Sequence, residues 1–123
     1  MFGATRAYSG FAVNDIPAAK RFYQEVLGLA VEENPAGLTL RIAGDRPILV
    51  YAKPDHTPAT YTILNFPVDD VEKAVDELVA RGARVERYEG FQQDEKGIQR
   101  GGGPLIAWFT DPAGNVLSVI QEQ

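Results

Sequence analysis

Residues 66 to 86 read Phe66-Pro-Val-Asp-Asp-Val-Glu-Lys-Ala-Val-Asp-Glu-Leu-Val-Ala-Arg-Gly-Ala-Arg-Val-Glu86. Phe66 and Val68 alternate as at the end of a strand. Asp69 or Asp70 can accept from the free N–H groups of a helix, and either carboxylate favours its positive N-terminus. Val71, Ala74, Val75, Leu78 and Val79 then form one apolar stripe at helical spacing. Gly82 suits the left-handed residue that closes such a helix. The stretch therefore predicts strand, helix, strand.

The same pattern occurs twice. Moved back by fifty-five positions, Phe66, Val68, Asp70 and Val71 fall on Phe11, Val13, Asp15 and Ile16. With one residue dropped inside the helix, Gly82, Val85 and Glu86 fall on Gly28, Val31 and Glu32. Two amphipathic helices share apolar positions by chance. An ordered set of Asp cap, closing Gly and Val-Glu strand is harder to match that way, so the chain reads as two copies of one supersecondary unit.

Outward from these stretches the rest follows in order. Ala7 to Val13 predicts a strand, with Tyr8, Gly10 and Ala12 on one face and Ser9, Phe11 and Val13 on the other. A helix is expected from Ile16 to Leu27. Extended segments are expected at Leu29–Glu33, Leu38–Ile42 and Ile48–Ala52, separated by the turn compositions Asn34-Pro-Ala-Gly37 and Ala43-Gly-Asp-Arg-Pro47. Residues 53–59 hold two prolines and the only histidine, His56, and read as a linker. The second copy predicts strands at Thr60–Val68, Ala83–Tyr88, Leu105–Thr110 and Val116–Gln121. Asp111-Pro-Ala-Gly-Asn115 is a tight hairpin connection, with Pro at the first corner and Gly or Asn at positive φ. The expected fold is α+β: two β-α-β-β-β modules, residues 5–52 and 60–123, within one domain. Each helix covers one face of a curved mixed sheet and leaves a concave trough, and two troughs can line a cavity.

Composition narrows the function classes. The chain has 123 residues and a formal charge of −5, which argues against a nucleic-acid partner. There is no Cys, which removes disulfides, thiolate nucleophiles and thiolate metal sites. No apolar run is long enough to cross a membrane, and no signal-peptide pattern opens the chain. A soluble cytoplasmic protein is expected. The lone His56 has no assignable Ser and Asp partners, so no triad is arguable. The glycines of Gly101-Gly-Gly103 lack the Lys-Ser/Thr ending of a phosphate loop. The segment from Gln92 to Gly103 reads either as a lid, with Arg100 meeting an anion, or as a flexible hairpin end. Glu32, Glu33, Glu86 and Glu89 read as a solvated edge.

Phe11-Ala-Val-Asn-Asp15 followed by Phe22-Tyr23 and Leu27-Gly28-Leu29, with Asp111-Pro-Ala-Gly-Asn115, resembles the vicinal oxygen chelate superfamily. That group includes glyoxalase I, extradiol dioxygenases, fosfomycin-resistance enzymes and bleomycin-resistance proteins. The resemblance runs from Tyr8 to Gln121. It implies, in the metal-dependent members, a divalent ion held by His, Gln or Glu on four cavity-facing strands. The position seven before the first capping Asp is Tyr8, and its counterpart is Ile63. The final-strand position, three after the hairpin Asn, is Ser118. The fourth falls within Ile48 to Tyr51, which has no imidazole or carboxylate. A phenol, a hydroxyl and hydrocarbon are poor donors for a hard divalent cation. No metal site, no cofactor and no catalytic residue are therefore expected.

Strand parity places Tyr8 and Gly10, Ile63 and Asn65, and Val116, Ser118 and Ile120 in the troughs. Pairing across the Asp111–Asn115 turn places Trp108 opposite Ser118. Tyr8, Ile63, Asn65, Trp108 and Ser118 are the expected ligand-binding set, although each aromatic or aliphatic member is individually a candidate for core. An apolar, aromatic lining with neutral polar groups suits stacking on an uncharged or weakly cationic organic ligand. The bleomycin-resistance branch implies metal-free sequestration by a homodimer. The alternative is a metal-dependent lyase, transferase or dioxygenase with atypical ligands. A metal-independent isomerase using Tyr8, and a module that only packs against another protein, are further alternatives.

Overall fold

The computed structural model describes residues 1–43 and 45–122. The chain divides into two compact units, Met1–His56 and the residues from Thr57 onward, and the division falls between residues 53 and 59. Strand β1 (Gly10–Val13) leads to helix α1 (Ile16–Arg21), which runs on into a π-helical turn at Phe22–Val26. Strands β2 (Ala30–Asn34), β3 (Gly37–Arg41) and β4 (Ile48–Ala52) complete the first unit. The second has β5 (Thr62–Pro67), α2 (Val71–Ala80), β6 (Arg84–Glu86), β7 (Leu105–Thr110) and β8 (Val116–Gln121). The sheet orders are β1-β4-β3-β2 and β5-β8-β7-β6, with the first pair parallel and the other two antiparallel in each. Two mixed sheets of one topology are the two β-α-β-β-β modules.

The repeat extends to backbone detail. Asp15 caps α1 at φ −143°, ψ 100°, and Asp70 caps α2 at φ −141°, ψ 102°. Asp15 Oδ1 accepts from Ala18 N at 3.0 Å, and Asp70 Oδ1 from Lys73 N at 3.1 Å. Of the two candidate caps, Asp70 is therefore the one used. The residue that must be dropped to align the two helices is absorbed in the π turn. There Leu27 N donates to Phe22 O at 3.1 Å, one residue wider than an α-helical bond. The wider turn lets Gly28, at φ 72°, close the first helix as Gly82, at φ 90°, closes the second.

Each helix covers one sheet face. Tyr23 is fully buried, its ring 5.8 Å from that of Phe11 and 5.2 Å from that of Phe22. Leu38, Leu40 and Val50 are buried on alternate positions of β3 and β4. In the second unit Val71, Val75 and Leu78 of α2 are buried, as are Ala107, Phe109, Leu117 and Val119. Gln121 Oε1 accepts from Val71 N at 2.8 Å and ties the end of β8 to the start of α2.

Three sequence expectations shift. Strand β1 begins at Gly10, so Tyr8 precedes it and is 66% exposed. The strand expected over Ala83–Tyr88 shortens to Arg84–Glu86. The segment from Gln92 to Arg100 is no loose hairpin end: Ile98 is fully buried, and Asp94 Oδ1 accepts from Lys96 N and Ile98 N at 2.9 Å. Arg100 meets carboxylates of the chain itself, Asp94 and Glu72, at 2.7 and 3.3 Å.

Candidate ligand-binding face

The face of each sheet away from its helix carries one transverse row in matching register. In the first unit Gly10 lies beside Leu49, Leu49 opposite Thr39, and Thr39 opposite Glu32. In the second the equivalent row is Asn65, Ser118, Trp108 and Glu86. Both rows end on a Glu that pairs with an Arg, Glu32 with Arg41 and Glu86 with Arg84. Between these ends the units diverge. The first has Gly, Leu and Thr, whereas the second has an amide, a hydroxyl and the only indole of the chain.

The hairpin turn fixes this register. Asp111 is buried, and its carboxylate accepts from Ala113 N and Asn115 N at 2.9 Å and from Asn115 Nδ2 at 3.0 Å. A carboxylate that satisfies three donors holds β7 against β8 without slippage, so Trp108 faces Ser118 as expected. Trp108 Nε1 donates to Thr62 Oγ1 at 3.1 Å. Thr62 stands on β5, beyond β8, so the indole lies across β8 on the open face. A bulge between Thr62 and Leu64 makes this reach possible. It returns Thr62 to the face of Asn65 and leaves Ile63 as the extra, half-buried residue.

Two further rings, which strand periodicity did not reveal, complete the patch. The Tyr88 ring lies 5.6 Å from that of Trp108 at 79°, and the Phe91 ring 5.2 Å from it at 53°. Tyr88 and Phe91 are 6.2 Å apart. These are edge-to-face and tilted contacts, the favoured arrangements of aromatic quadrupoles. Phe91 remains 51% exposed, so the cluster offers a ring surface to solvent. Gln93 clips the turn that carries both rings. Its Oε1 accepts from Tyr88 N at 2.8 Å, and its Nε2 donates to Glu86 O at 3.0 Å and Gly97 O at 2.8 Å. Burial, with the nearby Glu86 carboxylate, raises the Tyr88 phenol above its ordinary pKa. The only advance signal was the tight sequence Tyr88-Glu-Gly-Phe91 beside a strand end. Glu86, half-buried on this row, departs from the solvated-edge reading.

The polar members are neutral and mutually engaged. Ser118, fully buried, donates from Oγ to Asn65 Oδ1 at 2.5 Å, leaving the exposed Asn65 amide N–H₂ as a donor. The final-strand metal position is thus a buried hydroxyl that already donates, its partner an amide, and Ile63 contributes hydrocarbon. Glu86, the carboxylate of the row, pairs with Arg84 Nε at 3.2 Å. This donor set does not fit a divalent cation, which needs several converging oxygen or imidazole donors and charge compensation. Among the described residues no cluster of three or more His, Asp or Glu could hold a metal ion. His56 lies in the turn after β4, where its N–H donates to Lys53 O at 2.9 Å.

Topology and sequence agree on the class. Residues 6–119 match the model of the Glyoxalase/Bleomycin resistance protein/Dioxygenase superfamily. The chain belongs to that superfamily. Among solved structures it is similar to TnmS3, an antibiotic-binding protein from Streptomyces sp. CB03234, at 26% identity and a TM-score of 0.65 over 98% of both chains. It shares its fold with the genomically encoded fosfomycin resistance protein FosX of Listeria monocytogenes, at 14% identity and a TM-score of 0.71 over 95% of this chain and 92% of that one. The same holds for a putative glyoxalase family protein of Bacillus anthracis, at 18% identity and a TM-score of 0.70 over all of both chains. No curated protein matched the chain. Among the described residues no helix is long and apolar enough to cross a membrane.

Proposed function

We propose that the chain is a metal-independent binding protein for an uncharged or weakly cationic aromatic small molecule. The ligand stacks on the rings of Trp108 and Phe91 and accepts a hydrogen bond from the Asn65 amide. The indole crosses β8 to Thr62 on β5, the strand of Asn65, so ring and amide border one face. Ser118 orients the amide, and Ile63 adds an apolar contact at the bulge. Tyr8, expected to point into a trough from the first strand, lies before β1 with its ring exposed, and it stays in the proposal only as a ligand contact within the first unit. The proposal includes a homodimer in the cytoplasm, working by sequestration as in drug resistance. Its linkage to antibiotics draws on the binding described for TnmS3 and the resistance described for FosX.

The observation that carries this reading is the partly exposed three-ring patch pinned through Trp108 Nε1 to Thr62, beside neutral polar groups. Trp108 is the sole tryptophan, so its emission reports on this face alone. Titration with a panel of planar aromatic antibiotics in the presence of EDTA is expected to quench it saturably. By calorimetry, Trp108→Leu is expected to weaken binding about ten-fold or more, as for a central aromatic anchor. Tight stoichiometric binding of Mn²⁺, Ni²⁺, Zn²⁺ or Fe²⁺ in the same calorimeter would instead favour the metal-dependent enzyme.

A further inference from the structure

Residues 87–100 leave the edge of the second sheet, place Tyr88 and Phe91 on the open face, and return to pair with β7. Gln99 N donates to Ile106 O at 2.8 Å, so residue 99 occupies the place beside β7 that β6 vacates after Glu86. Within the segment, Gln93, Asp94 and Arg100 cross-link its two limbs. Its outer side and α2 line a common groove. The groove has a volume of about 340 Å³ and is lined by Val75, Val79, Val85, Arg87, Glu95 and Lys96 among others. The polar contacts that bridge to α2 are ion pairs. Lys96 Nζ lies 2.9 Å from Asp76 Oδ2 and 3.8 Å from Glu72 Oε1, and Arg100 Nη2 lies 3.3 Å from Glu72 Oε2. Glu72 and Asp76 stand one helical turn apart, so one face of α2 presents both carboxylates to the segment.

The segment also holds a feature that opposes its seating. Gln99 Oε1 is buried and, among the described residues, is the one buried side-chain nitrogen or oxygen without a hydrogen-bond partner. Such an acceptor is cut off from water only at a cost, and opening the segment would return it to solvent. Glycines with positive φ stand within the segment and just beyond it, Gly90 at 86° between Tyr88 and Phe91, and Gly102 at 72° past its end. The burial of Ile98 and the three ion pairs to α2 hold the segment down, and the orphaned acceptor works against them.

We propose that residues 87–100 form a salt-sensitive strap over the candidate face. Its ion pairs with α2 keep Tyr88 and Phe91 on Trp108, and their release uncovers the indole. Lys96 and Arg100 are positioning residues in this device. The inference rests on the open face as the binding site, but its test needs no ligand. Acrylamide quenching of Trp108 emission measures access to the indole directly. The double variant Lys96→Met/Arg100→Met is expected to raise the quenching constant about two- to five-fold, the range that exposed ion pairs support. Raising NaCl from about 0.02 to about 0.5 M, which shortens the screening length several-fold, should raise it in the wild type and leave the double variant unchanged. Gln99→Met, which removes the orphaned acceptor, should lower it. Arg81→Met breaks an ion pair to Glu77 on the same helix and should leave it unchanged. Equal quenching in wild type and double variant at both salt concentrations overturns the strap, even if the melting temperature falls. A failure of aromatic ligands to bind would overturn the functional reading and leave this result standing.

Discussion

Asp94 accepts from two backbone N–H groups and from Arg100 Nε, within 2.7 to 2.9 Å. Burial alone would raise its pKa, but the Arg100 hydrogen bond, the Ile98 and Lys96 N–H groups and the Arg100 charge outweigh it and hold the carboxyl below its ordinary value. A carboxyl depressed in the folded state contributes stability that is complete above its unfolded pKa and is lost as pH falls through its folded one. The stability gap between wild type and Asp94→Asn should therefore be largest near pH 7 and shrink between about pH 4 and about pH 2. Urea midpoints at several pH values check this, and a gap independent of pH contradicts it. At this scale the sequence was uneven in what it revealed. The capping Asp residues and the Asp111–Asn115 turn were legible because each acts on its own neighbours. The roles of Asp94 and Gln93 were not, since a turn's local signal does not say which donors a side chain will meet.

The helices and strands follow from two periodicities, and their departures from regularity are local. The aligned Phe11/Phe66 and Gly28/Gly82 positions predicted one extra residue in the first helix, but only the backbone shows it spread through a π turn. The bulge at Ile63 was likewise hidden, because alternation across Thr62 to Phe66 is compatible with either register. It changes which β5 side chains reach the open face, and it brings Thr62 to Trp108. Gly37, the first residue of β3, tests the packing of the first sheet. At φ 154° it lies so close to β4 that a Cβ would come within 2.3 Å of Val50 O and 3.0 Å of Ile16 Cδ1. A Cβ at Gly28, at φ 72°, would meet nothing within 4 Å. Gly37→Ala is expected to cost about 2–4 kcal/mol, by clash and strain together. Gly28→Ala should cost about 1–2 kcal/mol, by backbone conformation alone. Chemical denaturation of the two variants measures the difference, and equal losses would contradict the close approach of β3 to β4.

For the whole molecule, the internal repeat was the strongest signal, and two sheets of identical strand order carry it out. Matching registers align Glu32 with Glu86 and Thr39 with Trp108. Duplication therefore left two comparable open faces, each with a hydroxyl–amide pair, Asn34 with Thr39 in the first and Asn65 with Ser118 in the second, and only the second carries an indole. The family model gives the chain its superfamily, and the row Asn65, Ser118, Trp108, Glu86 gives the proposal its chemistry. Part of that row was legible through strand parity and the hairpin register. Tyr88 and Phe91 were not, because they lie in an aperiodic segment whose path depends on tertiary contacts. The most direct test is a two-dimensional ¹H–¹⁵N spectrum of the full chain titrated, in EDTA, with the tightest binder of the aromatic antibiotic panel. The account predicts shifts concentrated at the Trp108 indole N–H, the Asn65 side-chain amide and the backbone of residues 88–93. Shifts that appear there only after a divalent metal is restored, or that leave the Trp108 indole untouched at saturation, would contradict it.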